Sequence, residues 1–317
     1  MSESQTPPDT QPNTCGYVAL IGAPNAGKST LLNALVGAKV AIVSPKVQTT
    51  RARLTGIAVQ GSAQIVFVDT PGIFEPKRRL DKAMVEDAWS GADDADVIAL
   101  LVDARRPATA TKDDTQRIVD GLKKSNRRAI LVINKVDAVK RPELLALAEH
   151  MSAEVLEDGK ALFTEVYMIS ALTGDGVADL GDTLAQAMPQ GPWLFPEDQI
   201  ATAPWRYLAA ETTREKLFIN LHQELPYHLT VETEAWEERK DGSVKIDQVI
   251  YVTRSGHKGI VLGNKGALIK KVGQDSRKDL EEQMGRRVHL FLFVKVRENW
   301  LEDPERFREM GLKFPKG

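Results

Sequence analysis

Short apolar segments alternate with helix-like stretches over residues 16–188. The apolar segments are residues 17–21, 65–69, 97–103, 130–134 and 166–170. Each is almost uninterrupted in apolar residues, which is the pattern of strands buried on both faces of a parallel sheet. The helix-like stretches between them include residues 28–35, 113–122 and 144–156. This alternation predicts an α/β domain in which helices cover both faces of a mostly parallel sheet.

The pattern changes after a passage that contains four prolines, residues 189–204. Downstream, periodicity predicts a helix over 205–224, strands over 228–237 and 244–254, a glycine loop, a long helix and a strand over 288–296. The order α-β-β-α-α-β is that of a small α+β domain. We therefore expect a disordered tail over 1–14, an α/β domain over 15–188, a linker over 189–204 and an α+β domain over 205–317.

The composition is that of an ordinary globular protein. The chain has 317 residues, 42% of them hydrophobic and 27% charged, with a formal net charge of −2. Its single cysteine, Cys15, allows no intrachain disulfide and fits a reducing compartment. The N-terminal residues are polar and proline-rich, unlike a signal peptide, and no apolar run approaches the ~20 residues of a membrane span. These features predict a cytoplasmic protein.

The stretch "GAPNAGKST" follows the first predicted strand and opens the first helix. It fits the phosphate-binding pattern G-x-x-x-x-G-K-[ST] with Gly22, Gly27, Lys28 and Ser29. Lys28 is expected to reach the β- and γ-phosphates, and the Ser29 hydroxyl to bind Mg²⁺. The remaining candidate nucleotide-binding residues of this loop are Asn25, Ala26 and Thr30.

The base of the nucleotide is indicated by "NKVD", which follows the strand over 130–134. The Asp137 carboxylate can accept hydrogen bonds from N1–H and the 2-amino group of guanine, which adenine lacks. Asn134 and Lys135 precede it. A second turn, "SAL", ends another strand and can offer backbone N–H groups to the guanine carbonyl; its residues are Ser170, Ala171 and Leu172. Together these motifs predict a guanine nucleotide, GTP or GDP.

The stretch "VDTPG" supplies candidates for the metal and for hydrolysis. Asp69 ends a buried strand and can hold Mg²⁺ through water, and the N–H of Gly72 can meet the γ-phosphate. In "QTTR", Thr50 or its neighbour Thr49 can close on the metal, so the candidate metal residues are Ser29, Thr50 and Asp69. In this order the motifs resemble those of the translation-factor-related GTPases.

The residue after Gly72 is Ile73, where many signalling GTPases carry a glutamine that orients water. We therefore expect slow turnover, about 10⁻³–10⁻² s⁻¹, with Lys28, Thr50, Gly72 and Asn25 as the catalytic candidates. The resemblance implies that Asn25 can ligate K⁺, which would supply positive charge. The alternative is that Asn25 only completes the hydrogen bonds of the loop.

A second glycine loop follows the pattern G-x-x-G and consists of Gly263, Asn264, Lys265 and Gly266. It lacks the G-K-[ST] of a nucleotide site and resembles the loop of a type II KH domain, which clamps about four nucleotides. Residues 254–297 carry eleven basic and four acidic residues, an excess of seven, within an acidic chain. The further candidate RNA contacts are Lys258, Lys270 and Lys271.

A GTPase domain followed by one type II KH domain resembles the bacterial Era GTPase family. The resemblance implies binding to the 3′ end of 16S ribosomal RNA, a role in 30S subunit assembly and maturation, and peripheral association with the inner membrane. It gives no obligate protein partner, and we expect a monomer. Two alternatives stay open at this point: an RNA-modifying enzyme gated by GTP, and a membrane-surface signalling GTPase.

Overall fold

The computed structural model describes most of the chain as two domains. The described residues are 12–46, 49–51, 53–222, 224–298, 300, 303–309 and 312–314. Most of the expected tail, residues 1–11, lies outside them. Thr14, the last residue of that expected tail, instead opens the first strand, β1 (Thr14–Gly22), where it pairs with Ala63.

Six strands form the sheet of the first domain. They are β1, β2 (Leu54–Gln60), β3 (Ala63–Asp69), β4 (Val97–Asp103), β5 (Ala129–Asn134) and β6 (Phe163–Ile169). The order across the sheet is β2-β3-β1-β4-β5-β6, with β2 antiparallel to β3 and the other neighbours parallel. The parallel strands therefore end at one edge of the sheet, which is where α/β proteins bind ligands.

Helices cover both faces of this sheet. They are α1 (Lys28–Val36), α2 (Arg79–Asp93), α3 (Asp114–Lys124), α4 (Arg141–Ser152) and α5 (Val177–Gln186). Successive residues of β1 point to opposite faces. Ile21 packs in a core with α2, α3 and α4, and Leu20 packs in a second core with α1 and α5. Two cores explain why the strands read as continuous apolar segments.

Strand β2 was not predicted. Its sequence, "LTGIAVQ", has a glycine inside it and polar residues near both ends, so it gives a weaker apolar pattern than the parallel strands. The proline-rich passage shields its free edge, because Ile57 N donates to Ile200 O at 2.9 Å. The expected linker thus packs along the first domain for part of its length.

The second domain follows the predicted order of elements. It consists of α6 (Trp205–Asn220), β7 (Leu229–Glu238), β8 (Val244–Val252), α7 (Ser255–Leu262), α8 (Ala267–Met284) and β9 (Val288–Val296). Strand β8 is central, antiparallel to β7 and parallel to β9. Leu217, Ile250, Val261 and Val272 join α6, α7 and α8 to one face of the sheet.

One predicted boundary is wrong by four residues. The helix predicted over 205–224 ends at Asn220, and the chain then forms a 3₁₀ turn, Leu225–His228, before β7. Leu221 and Leu225 leave the helix to pack in the core, and Pro226 enters the 3₁₀ turn. The predicted strand over 288–296 coincides with β9.

The two domains are in direct contact at two places. Between α1 and β2, Lys39 and Val43 lie against α6, and Arg51 lies against the start of β7. A last helix, α9 (Pro304–Glu309), and the residues after it pack on α2 through Phe307, Leu312 and Phe314. Within the described ranges, no helix is both long enough and apolar enough to cross a membrane.

Candidate functional site

The first glycine loop joins β1 to α1 at the carboxyl edge of the sheet. Gly27 has φ 100°, and a Cβ there would lie 2.2 Å from Asn134 Nδ2, so only glycine fits. The N-terminus of α1 follows at once and presents free N–H groups for an anion. Lys28 lies behind the loop, where its Nζ donates to Gly22 O at 3.0 Å and Ala23 O at 3.2 Å. Burial lowers the pKa of Lys28 to about 8.

Three predicted metal residues lie together beside this loop. Ser29 Oγ donates to Asp69 Oδ2 at 2.7 Å and lies 2.9 Å from Thr50 Oγ1. Thr50 Oγ1 is 3.4 Å from the same carboxylate oxygen. These atoms come from α1, from the segment before β2 and from the end of β3. Only a folded chain brings them together.

The cluster fits a hard divalent cation. Asp69 is fully buried, and its second oxygen, Oδ1, has no hydrogen-bond partner among the described residues. Burial raises the pKa of Asp69 to about 6, against the opposing influence of Lys28 and the two hydroxyl groups. Two hydroxyl oxygens and a carboxylate are ligands that Mg²⁺ accepts, and its charge would offset the burial of Asp69.

The structure distinguishes between the two candidate threonines. Thr49 Oγ1 lies 2.7 Å from Ser44 Oγ and donates to Lys46 O at 2.8 Å, so Thr49 is engaged within its own segment. Thr50 alone of the pair joins Ser29 and Asp69. Ile73 is fully buried in the core between the sheet and α2, so its side chain does not face the cleft.

Asn134 holds three loops of the base site together. Its Nδ2 donates to Ala26 O at 2.8 Å, and its Oδ1 accepts from Lys135 N and Ala171 N, both at 2.9 Å. Lys135, with φ 71°, reaches back over the phosphate loop to Asn25 O and to Asp103 at 2.9 Å. Asn134 thus fixes the phosphate loop relative to the loops that would surround the base.

The other base-site candidates differ in exposure. Asp137 lies in the 3₁₀ turn Val136–Ala138, just after the carboxyl end of β5, and is exposed. Ser170 is buried, and its Oγ accepts from Thr173 N at 3.2 Å. The Leu172 side chain is 81% exposed, so this residue can contribute through its backbone or by covering the base.

The cleft at the phosphate loop has a volume of ≈ 400 Å³, and its lining does not include Asp137 or residues 170–172. Its lining includes the predicted Asn25, Gly27–Thr30, Thr50, Gly72 and Lys135, together with 42–45 and Arg105. The sequence interpretation missed Arg105. Asp103 ends β4 at the same edge of the sheet, and Arg105 pairs with it at 2.6 Å. The end of a predicted parallel strand was the available signal.

Asn25 has φ 63° and faces the segment before β2. Its Nδ2 donates to Pro45 O at 3.1 Å, which is the kind of loop hydrogen bond expected from the simpler interpretation. The side-chain oxygen, which a cation would require, takes no part in this bond.

The second glycine loop joins α7 to α8 and is exposed. Its backbone requires φ 72° at Gly263, 50° at Lys265 and 79° at Gly266. A Cβ at Gly263 would lie 2.7 Å from Leu268 Cβ, whereas one at Gly266 would meet nothing within 4 Å. The other candidate RNA contacts share an exposed position on or beside this loop; they are Lys258, Asn264, Lys265, Lys270 and Lys271.

A groove of ≈ 390 Å³ lies between α8 and β9, and its lining begins at Ile269, three residues after Gly266. Its wall on α8 carries Ile269, Lys270 and Arg277, and its wall on β9 carries Leu290–Leu292. Apolar side chains on both walls, with the cations Lys270 and Arg277 on the α8 wall, suit a single nucleic-acid strand, because bases can lie on the apolar surface while phosphates meet the cations.

Two family models match the chain. Residues 17–135 match a model described as a 50S ribosome-binding GTPase, and residues 224–301 match a KH domain. Two relatives of known sequence are each called GTPase Era. That of Afipia carboxidovorans is 57% identical over 316 residues and covers 100% of both chains. That of Rhizobium meliloti is 59% identical and covers 99% of this chain and 98% of its own.

Two solved structures are similar over 94% of this chain and 99% of theirs, each with TM-score 0.86 and 38% identity. One is Aquifex aeolicus Era, in a variant form, bound to GDP and aluminium fluoride. The other is Era in complex with MgGDPNP and nucleotides 1506–1542 of 16S ribosomal RNA. The predicted fold class, a P-loop GTPase domain followed by a KH domain, is confirmed.

The raised pKa of Asp69 gives a pH-dependent prediction for the metal-free protein. Because the folded state binds this proton more tightly than the unfolded state, the free energy of unfolding falls as pH rises from 3.8 to about 6. At about pH 7.5 in EDTA, Asp69→Asn should therefore be more stable than the parent, by on the order of 1–3 kcal/mol. Near pH 4 the difference should vanish.

Thermal midpoints at the two pH values measure this effect. Asp120→Asn, a change at an exposed aspartate of α3, is the matched control and should alter neither value. A stability difference for Asp69→Asn that is the same at both pH values would contradict the prediction.

Proposed function

Since this chain belongs to the Era family of GTPases, we propose that it is a GTP-hydrolysing switch that binds the 3′ end of 16S ribosomal RNA and assists assembly and maturation of the 30S subunit. The observation that carries the proposal is the presence of two sites in one chain. One is a nucleotide cleft with side chains that suit a divalent cation, and the other is an exposed G-x-x-G loop near a groove. The similarity to Era bound to MgGDPNP and 16S nucleotides supports it.

The nucleotide is held and activated by groups that the chain has already positioned. The N–H groups of the phosphate loop and Lys28 bind the β- and γ-phosphates, and Gly72 lies in the cleft where its N–H can meet the γ-phosphate. Ser29, Thr50 and Asp69 would hold Mg²⁺, which would supply positive charge to the phosphates. With Ile73 buried in the core, no side chain at that position orients the attacking water.

We expect the protein to act in the cytoplasm, where ribosomal subunits are assembled. We also expect it to be a monomer without an obligate protein partner. Peripheral association with the inner membrane follows from the family resemblance alone and stays a prediction.

The exposed carboxylate of Asp137 is expected to select guanine. In Asp137→Asn the side chain offers an amide N–H where guanine needs an acceptor, while xanthine, with its 2-carbonyl, can accept from it. GTP affinity should fall by about 10²-fold or more, and xanthosine triphosphate affinity should rise. Titration with fluorescent analogues of both nucleotides measures the exchange. Undiminished GTP affinity would mean that Asp137 does not contact the base.

Asn25 is the candidate K⁺ ligand. If K⁺ supplies charge at the transferring phosphate, replacement of K⁺ by Na⁺ should slow GTP turnover by about tenfold, or 1.4 kcal/mol in activation free energy. Asn25→Ala should turn over at the slow rate in both salts. Equal turnover of the parent protein in the two salts would leave Asn25 with only its hydrogen bond to Pro45.

The second glycine loop can be tested with a substitution whose backbone strain is matched in a control. Gly263→Asp would place a Cβ against Leu268, so Gly266→Asp, in open space, is the cleaner change. The added charge repels a passing phosphate, and affinity for single-stranded RNA should fall about tenfold or more while GTP affinity is kept. Gly242→Asp is the matched control, because Gly242 has φ 80°, open space and a position in the distant β7–β8 turn. RNA affinities that are equal in the two variants would exclude contact at this loop.

A further inference from the structure

Two adjacent residues connect the metal cluster to the second domain. Thr50 bonds towards Ser29 and Asp69, as described above, and its neighbour Arg51 bonds across the domain boundary. Arg51 Nη1 donates to Leu229 O at 2.7 Å, and Nη2 donates to Pro226 O at 3.1 Å. The backbone that positions one side chain therefore also positions the other.

The Arg51 guanidinium is enclosed by aromatic rings of the second domain. It lies 5.7 Å from the ring centroid of Phe218 and 5.6 Å from that of Trp300, both of which are buried. Burial and the neighbouring Arg214 lower the pKa of Arg51 to about 9, so it stays charged at neutral pH. A buried cation with two carbonyl acceptors and two ring faces has little freedom to leave its place.

The acceptors of Arg51 lie at the entry to the RNA-binding sheet. Pro226 and Leu229 are in and just after the 3₁₀ turn that precedes β7. β7 pairs along its length with β8, which leads into α7 and the second glycine loop. A displacement of this turn would thus reach the groove through continuous backbone.

A second set of contacts holds the same two parts together. Lys39, at the start of the segment, pairs with Glu215 of α6 at 2.6 Å and with Asp279 of α8 at 3.1 Å. Val43 N donates to Glu215 Oε1 at 2.8 Å. Helix α8 begins directly after the glycine loop, so the segment that closes on the metal contacts two helices of the RNA-binding domain, one of which starts at that loop.

We propose that Arg51 is the positioning residue through which the nucleotide state controls RNA affinity. Closure of Thr50 on the metal places Arg51 against the 226–229 turn and fixes the second domain in its RNA-binding position. This inference rests on the proposed binding of GTP and RNA. It assigns the coupling between the GTP site and the RNA site to one side chain. A ligand shifts a conformational equilibrium only by binding the two conformations with different affinity, and Thr50 is the residue that senses this difference.

The geometry requires arginine at this position. A guanidinium presents its donors in a planar fork that can reach two carbonyls three residues apart while its faces stack on rings. An ammonium group keeps the charge but loses the fork and the stacking. Arg51→Lys should therefore resemble Arg51→Ala, which separates a geometric role from a purely electrostatic one.

The test measures the affinity for a short single-stranded RNA from the 3′ end of 16S ribosomal RNA, with Mg²⁺ and either GDP or a non-hydrolysable GTP analogue. The ratio of the two dissociation constants is the coupling. In the parent protein it should be about 5–150-fold, and in Arg51→Ala and Arg51→Lys it should approach one. By reciprocity, RNA should raise the affinity for the GTP analogue by the same factor in the parent protein and not in the variants.

Arg53→Ala is the matched control. Arg53 lies two residues further on and bonds within the first domain, to Asp87 O and Oδ1, both at 2.9 Å. It should keep the coupling ratio of the parent protein. Circular dichroism checks folding, and if Arg51→Ala fails to fold, Arg51→Lys decides.

The outcomes separate the inference from the function on which it rests. The role of Arg51 is overturned if a folded Arg51 variant keeps the coupling ratio of the parent protein, or if Arg53→Ala loses that ratio to the same extent. RNA binding by the parent protein with a ratio of one overturns it as well, and leaves GTP and RNA binding standing. Absence of RNA binding with either nucleotide refutes the proposed function itself.

Discussion

The buried carboxylate of Asp69 is the constraint on which the nucleotide site depends. It lies at the end of a central strand, fully buried, with one oxygen shared between two hydroxyl groups and the other without a hydrogen-bond partner in the described part of the chain. Burial of such a charge is unfavourable unless a cation compensates for it. Lys28 offsets part of it, and a divalent cation would complete the compensation. The closed position of Thr50 is therefore tied to the contents of the cleft.

The position of Thr50 has consequences beyond the cleft because its segment is short and bound at both sides. Lys39 and Val43 contact α6 at one end, and Arg51 contacts the turn before β7 at the other. Packed elements of this kind shift between discrete arrangements more readily than they deform. Binding of a cation at Asp69 would, on this proposal, act on the position of the second domain through two adjacent residues, Thr50 and Arg51.

The sequence predicted those features that local chemistry determines. The phosphate loop requires glycine where a Cβ would meet Asn134, and β3 must be apolar up to the aspartate that ends it, so both are visible in the sequence. Strand β2 was missed because a glycine interrupts its apolar pattern. The choice of Thr50 over Thr49 and the partners of Arg51 depend on residues far along the chain, such as Leu229, and no local pattern contains them.

The two glycine loops show how one residue type meets two different requirements. At Gly27 a side chain would collide with Asn134, so glycine is imposed by the packing of the protein itself. At Gly266 the space beside the backbone is open, so glycine is required by its φ of 79° and by the approach of a ligand. A tightly packed loop of this kind suits a small ligand that must be enclosed for chemistry. An open loop suits a polymer that must enter and leave from the side. The release of that polymer can be controlled by the position of the domain that carries the loop.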